Sequence, residues 1–340
     1  VINRVAIIGS TTWGTTLGII LARTGIPVTI LTRTCEEASD LNSHREHRRF
    51  LPSVAFPQSL VASCDAVEAV SQAKLAIVAV PSDRLRQNLA LIKEFLIPGT
   101  VVLNVAKGLE MPGGKRMSQI LEEELPRALH SGICVLSGPN LAQEIAQGKP
   151  ASTVIAGRNG EKLAEVQDIL MSPTFRVYTS RDVVGVELGG ALKNIIALGA
   201  GFADGLEIGD NIKAAFITRG LAEITRLGVA AGAQPLTFAG LAGMGDIVAT
   251  CASRLSRNRH VGEELARGKS WPEIRAAMDN VAEGVITTGA ALKLAQELNV
   301  EMPIARVTQR VLFEGLPAKD AIAELMGRPP RPEWEALEGP

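Results

Sequence analysis

The chain has 340 residues, 46% of them hydrophobic, with 35 Lys+Arg against 36 Asp+Glu and a formal net charge of −1. That length supports a sizeable core and two domains, and the charge balance gives no electrostatic reason to expect nucleic acid or an anionic membrane as a partner. A small metabolite is the partner this composition favours.

No run reaches the roughly 18 uninterrupted apolar residues of a membrane span, and the opening VINRVAIIG has the pattern of a strand, not of a signal peptide. A cytoplasmic protein without stable membrane insertion is expected. Cys35, Cys64, Cys134 and Cys251 are widely spaced and lack a C-x-x-C motif, so reduced, mostly buried thiols are expected, with neither a disulfide framework nor a metal site.

From Arg4 to about Tyr178, short β-rich runs alternate with amphipathic stretches. Val5–Ile8, Val28–Leu31, Leu75–Val80, Val101–Asn104, Ile133–Leu136, Ser152–Ala156 and Phe175–Tyr178 read as strands. Helices are expected near Trp13–Thr24, Asp65–Gln72, Asp83–Phe95, Lys115–Glu124, Leu141–Gln147 and Glu161–Leu170. Apolar strands alternating with helices specify an α/β fold with a doubly wound parallel sheet. After Ser180 the β-runs almost vanish and helical periodicity takes over. The expected division is 1–180 for the sheet domain, 181–326 for an all-helical C-terminal domain and 327–340 for a proline-broken tail.

The first βα turn, Gly9-Ser-Thr-Thr-Trp-Gly14, is nearly a dinucleotide fingerprint, with Thr11 at the second glycine position. A side chain there crowds the pyrophosphate approach, so Thr11→Gly is expected to tighten cofactor binding. No acid stands between Pro27 and Cys35, where a ribose 2′-hydroxyl is usually bound, but Arg33 does. It suits a 2′-phosphate, which favours NADP, and is equally compatible with an exposed loop residue.

The cluster His44–Arg49 reads as a solvated face, with phosphate contact as the competing role. Lys107 falls at the carboxyl edge of the sheet, where such folds bind ligands, and taken by itself reads more often as a solvated loop lysine. Asn140, in Ser137-Gly-Pro-Asn140, is a candidate N-cap for the helix that follows. Lys193 interrupts an apolar, glycine-rich helix at Val184–Leu198; it is either a proton donor or a snorkelling lysine at a helix seam. Gly240–Asp246 carries glycines at 240, 243 and 245 and reads as a close-approach loop. Arg257 and Asn258 supply a planar fork and an amide suited to a phosphate dianion, with a basic surface helix as the alternative.

Taken together, these segments resemble bacterial NAD(P)-dependent glycerol-3-phosphate dehydrogenases. The likeness runs from Arg4 to Phe313 through Trp13-Gly14-Thr15, Val80-Pro-Ser82 with Leu85-Arg86, Ala106-Lys-Gly108, Gly138–Ala142 with Glu144, Val186–Asn194, Gly240–Asp246, Ser256–Asn258 and Glu283-Gly284. It implies a Rossmann-like first domain, NAD or NADP as cofactor, a homodimer, and interconversion of dihydroxyacetone phosphate and sn-glycerol 3-phosphate for glycerophospholipid synthesis.

The resemblance makes Lys193 the catalytic proton donor. It assigns Lys107, Gly138, Asn140, Asp246, Ser256, Arg257 and Asn258 to the phosphorylated substrate. Gly9, Thr12, Trp13, Gly14, Arg33, Phe50, Lys107, Ala142, Arg257, Val281 and Glu283 go to the cofactor, and no metal is implied. Three departures stand out: Thr11 itself, Thr12 where serine is commoner, and Ala282 for the usual valine. Competing readings are a 3-hydroxy acid or 6-phosphogluconate-type dehydrogenase and a non-catalytic NAD(P)-binding sensor.

Overall fold

Val5–Ile8, four consecutive buried residues, form strand β1 of the computed structural model, which describes residues 2–278, 282–330 and 332–333. The strands that follow are β2 (Val28–Leu31), β3 (Glu46–His47), β4 (Leu51–Ala55), β5 (Leu60–Ser63), β6 (Leu75–Val78), β7 (Val101–Asn104), β8 (Ile133–Ser137), β9 (Ala151–Gly157) and β10 (Phe175–Ser180). Among the described residues, β3 and β4 pair with each other, and the others make one eight-stranded sheet in the order β10-β9-β8-β7-β6-β1-β2-β5.

Between these strands run α1 (Thr12–Arg23), α2 (Cys35–His44), α3 (Ala66–Val70), α4 (Leu85–Ile92), α5 (Met117–Glu124), α6 (Ala142–Ala146) and α7 (Gly160–Leu170). The period-2 geometry of β1 divides its side chains between two cores. Val5 and Ile7 pack in one cluster with Leu17, Leu21 and Val166, while Ala6 and Ile8 join Leu85, Leu89 and Leu121 in another. Helices therefore cover both faces of the sheet.

The sheet is not wholly parallel. β9 runs antiparallel to β8, and β10 pairs with β9 in parallel. The only helix between β8 and β9 is α6, whose five residues span about 7 Å against about 16 Å for β8. It is too short to carry the chain back along the strand, and the next strand enters from the opposite end.

Helix α2 was not evident in the sequence because it buries only Ala38 and Leu41. The basic cluster at its end is a solvated face only in part: His44, Arg48 and Arg49 are exposed, and the other two basic residues are not. Arg45 closes α2 in the left-handed region at φ 54° and donates to Leu60 O at 2.8 Å, while His47 is buried. A second correction concerns the thiols: Cys35 and Cys64 form a disulfide. β2 and β5 are paired in parallel, so the residues just beyond their carboxyl ends come together although 29 positions apart in sequence. Cys134 and Cys251 are free and buried, and burial pushes both thiols up to about 12.

The remaining helices are α8 (Val183–Gly205), α9 (Asp210–Ala230), α10 (Pro235–Ala239), α11 (Asp246–Ala252), α12 (Arg257–Ala266), α13 (Trp271–Ala276), α14 (Glu283–Glu297), α15 (Pro303–Phe313) and α16 (Ala318–Met326). The chain forms two units, one comprising residues up to Lys107 with Arg116–Val186, the other Gly108–Lys115 with Glu187 onward. Gly108–Lys115 joins the helical unit because Gly114 packs against Ala290 O and Leu294 of α14.

The glycines of α8 serve a close crossing. A Cβ on Gly201 would lie 2.1 Å from Arg259 O, and one on Gly262 of α12 would lie 2.0 Å from Leu198 O. Around this crossing Leu198, Phe202, Val261, Leu265, Val307 and Val311 make the helical core. Two segments, Val183–Gly205 and Pro235–Ala252, are long and apolar enough to cross a membrane by length and composition; 83% and 39% of their respective windows are buried in the fold. The Gly240–Asp246 segment is helical, with Leu241–Gly245 forming a wide π turn between α10 and α11. Gly243 permits it, since a Cβ there would meet Phe238 O at 2.1 Å. Of the expected tail, residue 331 and residues 334–340 lie outside the described residues.

Candidate active site

In the sheet unit, Gly9 adopts φ +101°, and a Cβ on Gly14 would lie 2.5 Å from Gly9 O. These two positions demand glycine, and position 11 does not. Thr11 is the N-cap of α1: its hydroxyl accepts from Gly14 N at 3.1 Å and donates to Ala79 O at 2.8 Å. It is an integral part of the turn, which reverses the expectation for Thr11→Gly. That variant is expected to bind cofactor no more tightly than the parent in a calorimetric titration. Thr11→Val should lower stability by about 1 kcal/mol, the usual worth of a lost N-cap, read as a lower denaturation midpoint.

The first turn of α1 contains no acidic residue, so the positive end of its dipole is open to a diphosphate. The Thr16 hydroxyl lies 2.8 Å from Thr12 O and 3.2 Å from Ala142 O, which brings two of the predicted cofactor residues together. Trp13 meets Phe175 edge-on at 6.4 Å, and its indole Nε1 is buried with no partner among the described residues. A glycine cradle, an acid-free helix start and an orphaned donor fit a dinucleotide.

The opposite wall of the turn is built from the hairpin. His47 Nε2 donates to Ser10 O at 3.0 Å, and Phe50 packs on the His47 ring at 4.7 Å. Burial holds the His47 pKa below the ordinary imidazole range, consistent with a neutral ring that donates from Nε2. Arg33 is exposed, and its guanidinium has no partner among the described residues.

Lys107 Nζ donates to Gly138 O at 2.8 Å, uniting two predicted substrate residues. Asn140 is not an N-cap. Leu141 holds that position without a side-chain bond, and the Asn140 amide turns to the buried Thr153 hydroxyl at 3.0 Å, which also contacts Ser137 O at 2.8 Å.

In the helical unit, Lys193 is 7% exposed and Asp246 2%. The Lys193 ammonium donates to Asp246 Oδ1 at 2.9 Å and to Thr250 Oγ1 at 2.6 Å. The Thr250 hydroxyl in turn donates to Asp246 Oδ1 at 3.2 Å. Asp246 and Thr250 are one turn apart on α11 and face the same way. Burying an ion pair is costly unless its hydrogen bonds are satisfied, and Thr250 supplies the satisfaction. The third N–H of Lys193 has no protein partner among the described residues. Sequence reasoning missed Thr250, whose only signal was its spacing from Asp246.

Asn258 is largely committed to protein. Its Nδ2 donates to Asn194 Oδ1 at 2.9 Å and its Oδ1 accepts from Gly284 N at 3.0 Å, tying α8 and α12 to the start of α14 beside Glu283. Ser256 caps α12 by accepting from Arg259 N at 3.2 Å. Arg257, the first residue of α12, is exposed and has no partner among the described residues, whereas Arg259 is bound to Asp204 and Glu263. Val281 lies outside the described residues. Among those described, no group of three or more His, Cys, Asp or Glu is placed to hold a metal.

A nucleotide-type glycine turn on a mostly parallel sheet, followed by a helical unit with a buried, hydrogen-bonded lysine, defines the class of two-unit pyridine-nucleotide dehydrogenases. Residues 4–163 match the NAD-dependent glycerol-3-phosphate dehydrogenase N-terminus family and residues 182–323 the corresponding C-terminus family. The chain belongs to the NAD-dependent glycerol-3-phosphate dehydrogenase family.

Among its relatives is the NAD(P)+-type glycerol-3-phosphate dehydrogenase of Chlorobium limicola, 46% identical over 97% of this chain and 99% of the relative. The Moorella thermoacetica protein of the same description is 47% identical over 98% of each. The crystal structure of glycerol-3-phosphate dehydrogenase from Coxiella burnetii superposes with a TM-score of 0.91 at 34% identity, covering 96% of this chain and 99% of that one.

Proposed function

We propose that the protein interconverts dihydroxyacetone phosphate and sn-glycerol 3-phosphate with NAD(P)(H). The observation that carries this reading is the Lys193–Asp246–Thr250 cluster, a buried ammonium held on two sides with its third N–H uncommitted among the described residues. Bound NAD(P)H would supply the hydride for the ketone carbon. Lys193 donates a proton to the carbonyl oxygen as charge develops there, and in the reverse direction its neutral amine takes the proton from the alcohol. Asp246 and Thr250 fix the ammonium and balance its charge.

Gly9, Thr12, Trp13, Gly14, Arg33, Phe50, Ala142, Val281 and Glu283 are the cofactor residues in this reading. Lys107, Gly138, Asn140, Ser256, Arg257 and Asn258 are the substrate residues in this reading; Lys107 and Arg257 also belong with the cofactor. The product would supply glycerophospholipid synthesis, and a cytoplasmic homodimer is the proposed form. In a reducing cytoplasm Cys35 and Cys64 would stand as two thiols.

Steady-state assays with dihydroxyacetone phosphate, unphosphorylated dihydroxyacetone and a 3-hydroxy acid test the reading. Turnover restricted to the 3-hydroxy acid would overturn it, and cofactor binding without any turnover would make the protein a sensor. Arg257→Met should raise KM for the phosphorylated ketone by roughly 10- to 100-fold, the worth of charge-assisted hydrogen bonds. Its effect on the unphosphorylated ketone should be small.

A further inference from the structure

The acid missing from the end of β2 returns from α2. Glu37, in the first turn of that helix, folds back so that Oε1 accepts from Ser10 Oγ at 2.5 Å and Oε2 lies 3.4 Å from Arg33 N. Ser10 belongs to the glycine turn, and Arg33 is the residue expected at the adenosine ribose. The carboxylate thus bridges the two segments that border the ribose corner.

Glu37 is also held in place. Its own backbone N–H is capped by Thr34 Oγ1 at 3.2 Å. His47 fixes Ser10 from the other side. In dinucleotide folds a carboxylate in this corner accepts from the ribose 2′-hydroxyl, and it repels a 2′-phosphate.

We infer that Glu37 is a specificity-determining residue that makes the site prefer NAD(H) over NADP(H). Arg33, its guanidinium without a partner among the described residues, offsets part of that bias and keeps NADP(H) admissible. The inference rests on nucleotide binding at the Gly9–Gly14 turn, and it runs against the preference for NADP that Arg33 alone suggests.

Equilibrium titration of the intact protein with NADH and with NADPH, followed by nucleotide fluorescence, tests it without relying on turnover. The parent should bind NADH more tightly. In Glu37→Gln, which keeps the shape and removes the charge, the ratio of the NADPH to the NADH dissociation constant should fall by at least about fivefold. Competition by 2′,5′-ADP relative to 5′-AMP should improve in the same proportion.

If Glu37 only latches α2 to the loop, the variant weakens both nucleotides equally and the ratio stays put, which overturns the inference while leaving nucleotide binding intact. A parent that binds NADPH more tightly also overturns it. A parent that binds neither nucleotide removes the site on which both readings depend.

Discussion

Replacing Lys193 by alanine is expected to lower kcat for dihydroxyacetone phosphate by at least about a hundredfold, the low end of general acid–base contributions, with NADH affinity unchanged. The alkoxide that forms on ketone reduction needs a proton, and Lys193 presents a third N–H not taken by Asp246 or Thr250. Alanine also removes the ammonium that pairs with Asp246 Oδ1, a carboxylate 2% exposed. That destabilises the fold by about 3–5 kcal/mol and could be mistaken for loss of chemistry.

Lys193→Gln separates the two effects. Its amide can still donate to Asp246 while offering no transferable proton, so it should be folded by circular dichroism and equally slow. Near-parental kcat in folded Lys193→Gln would remove this residue from proton transfer. Thr250→Val should reduce kcat less, because it releases one of two ties on the ammonium and leaves the proton in place.

What the sequence could and could not disclose follows the range of the forces involved. Lys193 was conspicuous because a charged side chain in an apolar helix is out of place unless something holds it, and the helix and the burial are both present. Thr250 was silent: its partner lies 57 residues away in sequence, and a threonine one turn after an aspartate is ordinary.

Strands with continuous apolar runs were legible from local pattern alone. The edge strand Leu60–Ser63 was not, its buried run being interrupted by the exposed Val61, and without it the Cys35–Cys64 contact could not be anticipated. The antiparallel turn into β9 hid for a similar reason, since strand direction depends on the length of the intervening helix and not on the strand's own residues. Glu37 is inconspicuous in the sequence because it lies beyond the Pro27–Cys35 segment where a ribose-binding acid is expected, and only the helix that follows carries its carboxylate back toward Ser10.

Glu223 is another group whose importance shows only in three dimensions, and its replacement should carry the largest stability effect outside the lysine cluster. It projects from α9 and is 2% exposed. Its two oxygens accept from Ile304 N and Ala305 N at 2.9 Å each. These are first-turn donors of α15, whose own N-cap, Met302, supplies no side-chain bond. Glu223→Ala leaves two buried N–H groups unsatisfied and is expected to cost about 3 kcal/mol, measured by urea denaturation of the transition that reports on the helical unit.

Burial raises the Glu223 carboxyl from 4.5 to about 7, outweighing the two N–H bonds and the nearby Arg226 and Arg328, which pull the other way. The folded state therefore holds this proton more tightly than the unfolded chain does. Its contribution to stability is full below about pH 4.5 and is lost as pH rises to about 7. By linkage the loss is on the order of 3 kcal/mol across that window. Denaturation midpoints of parent and Glu223→Ala at pH 5 and pH 8 should differ more at pH 5, because only the parent has this carboxyl to protonate. An equal difference at both pH values would mean that Glu223 stays ionised throughout and that its two helix-capping bonds, not its burial, govern its protonation.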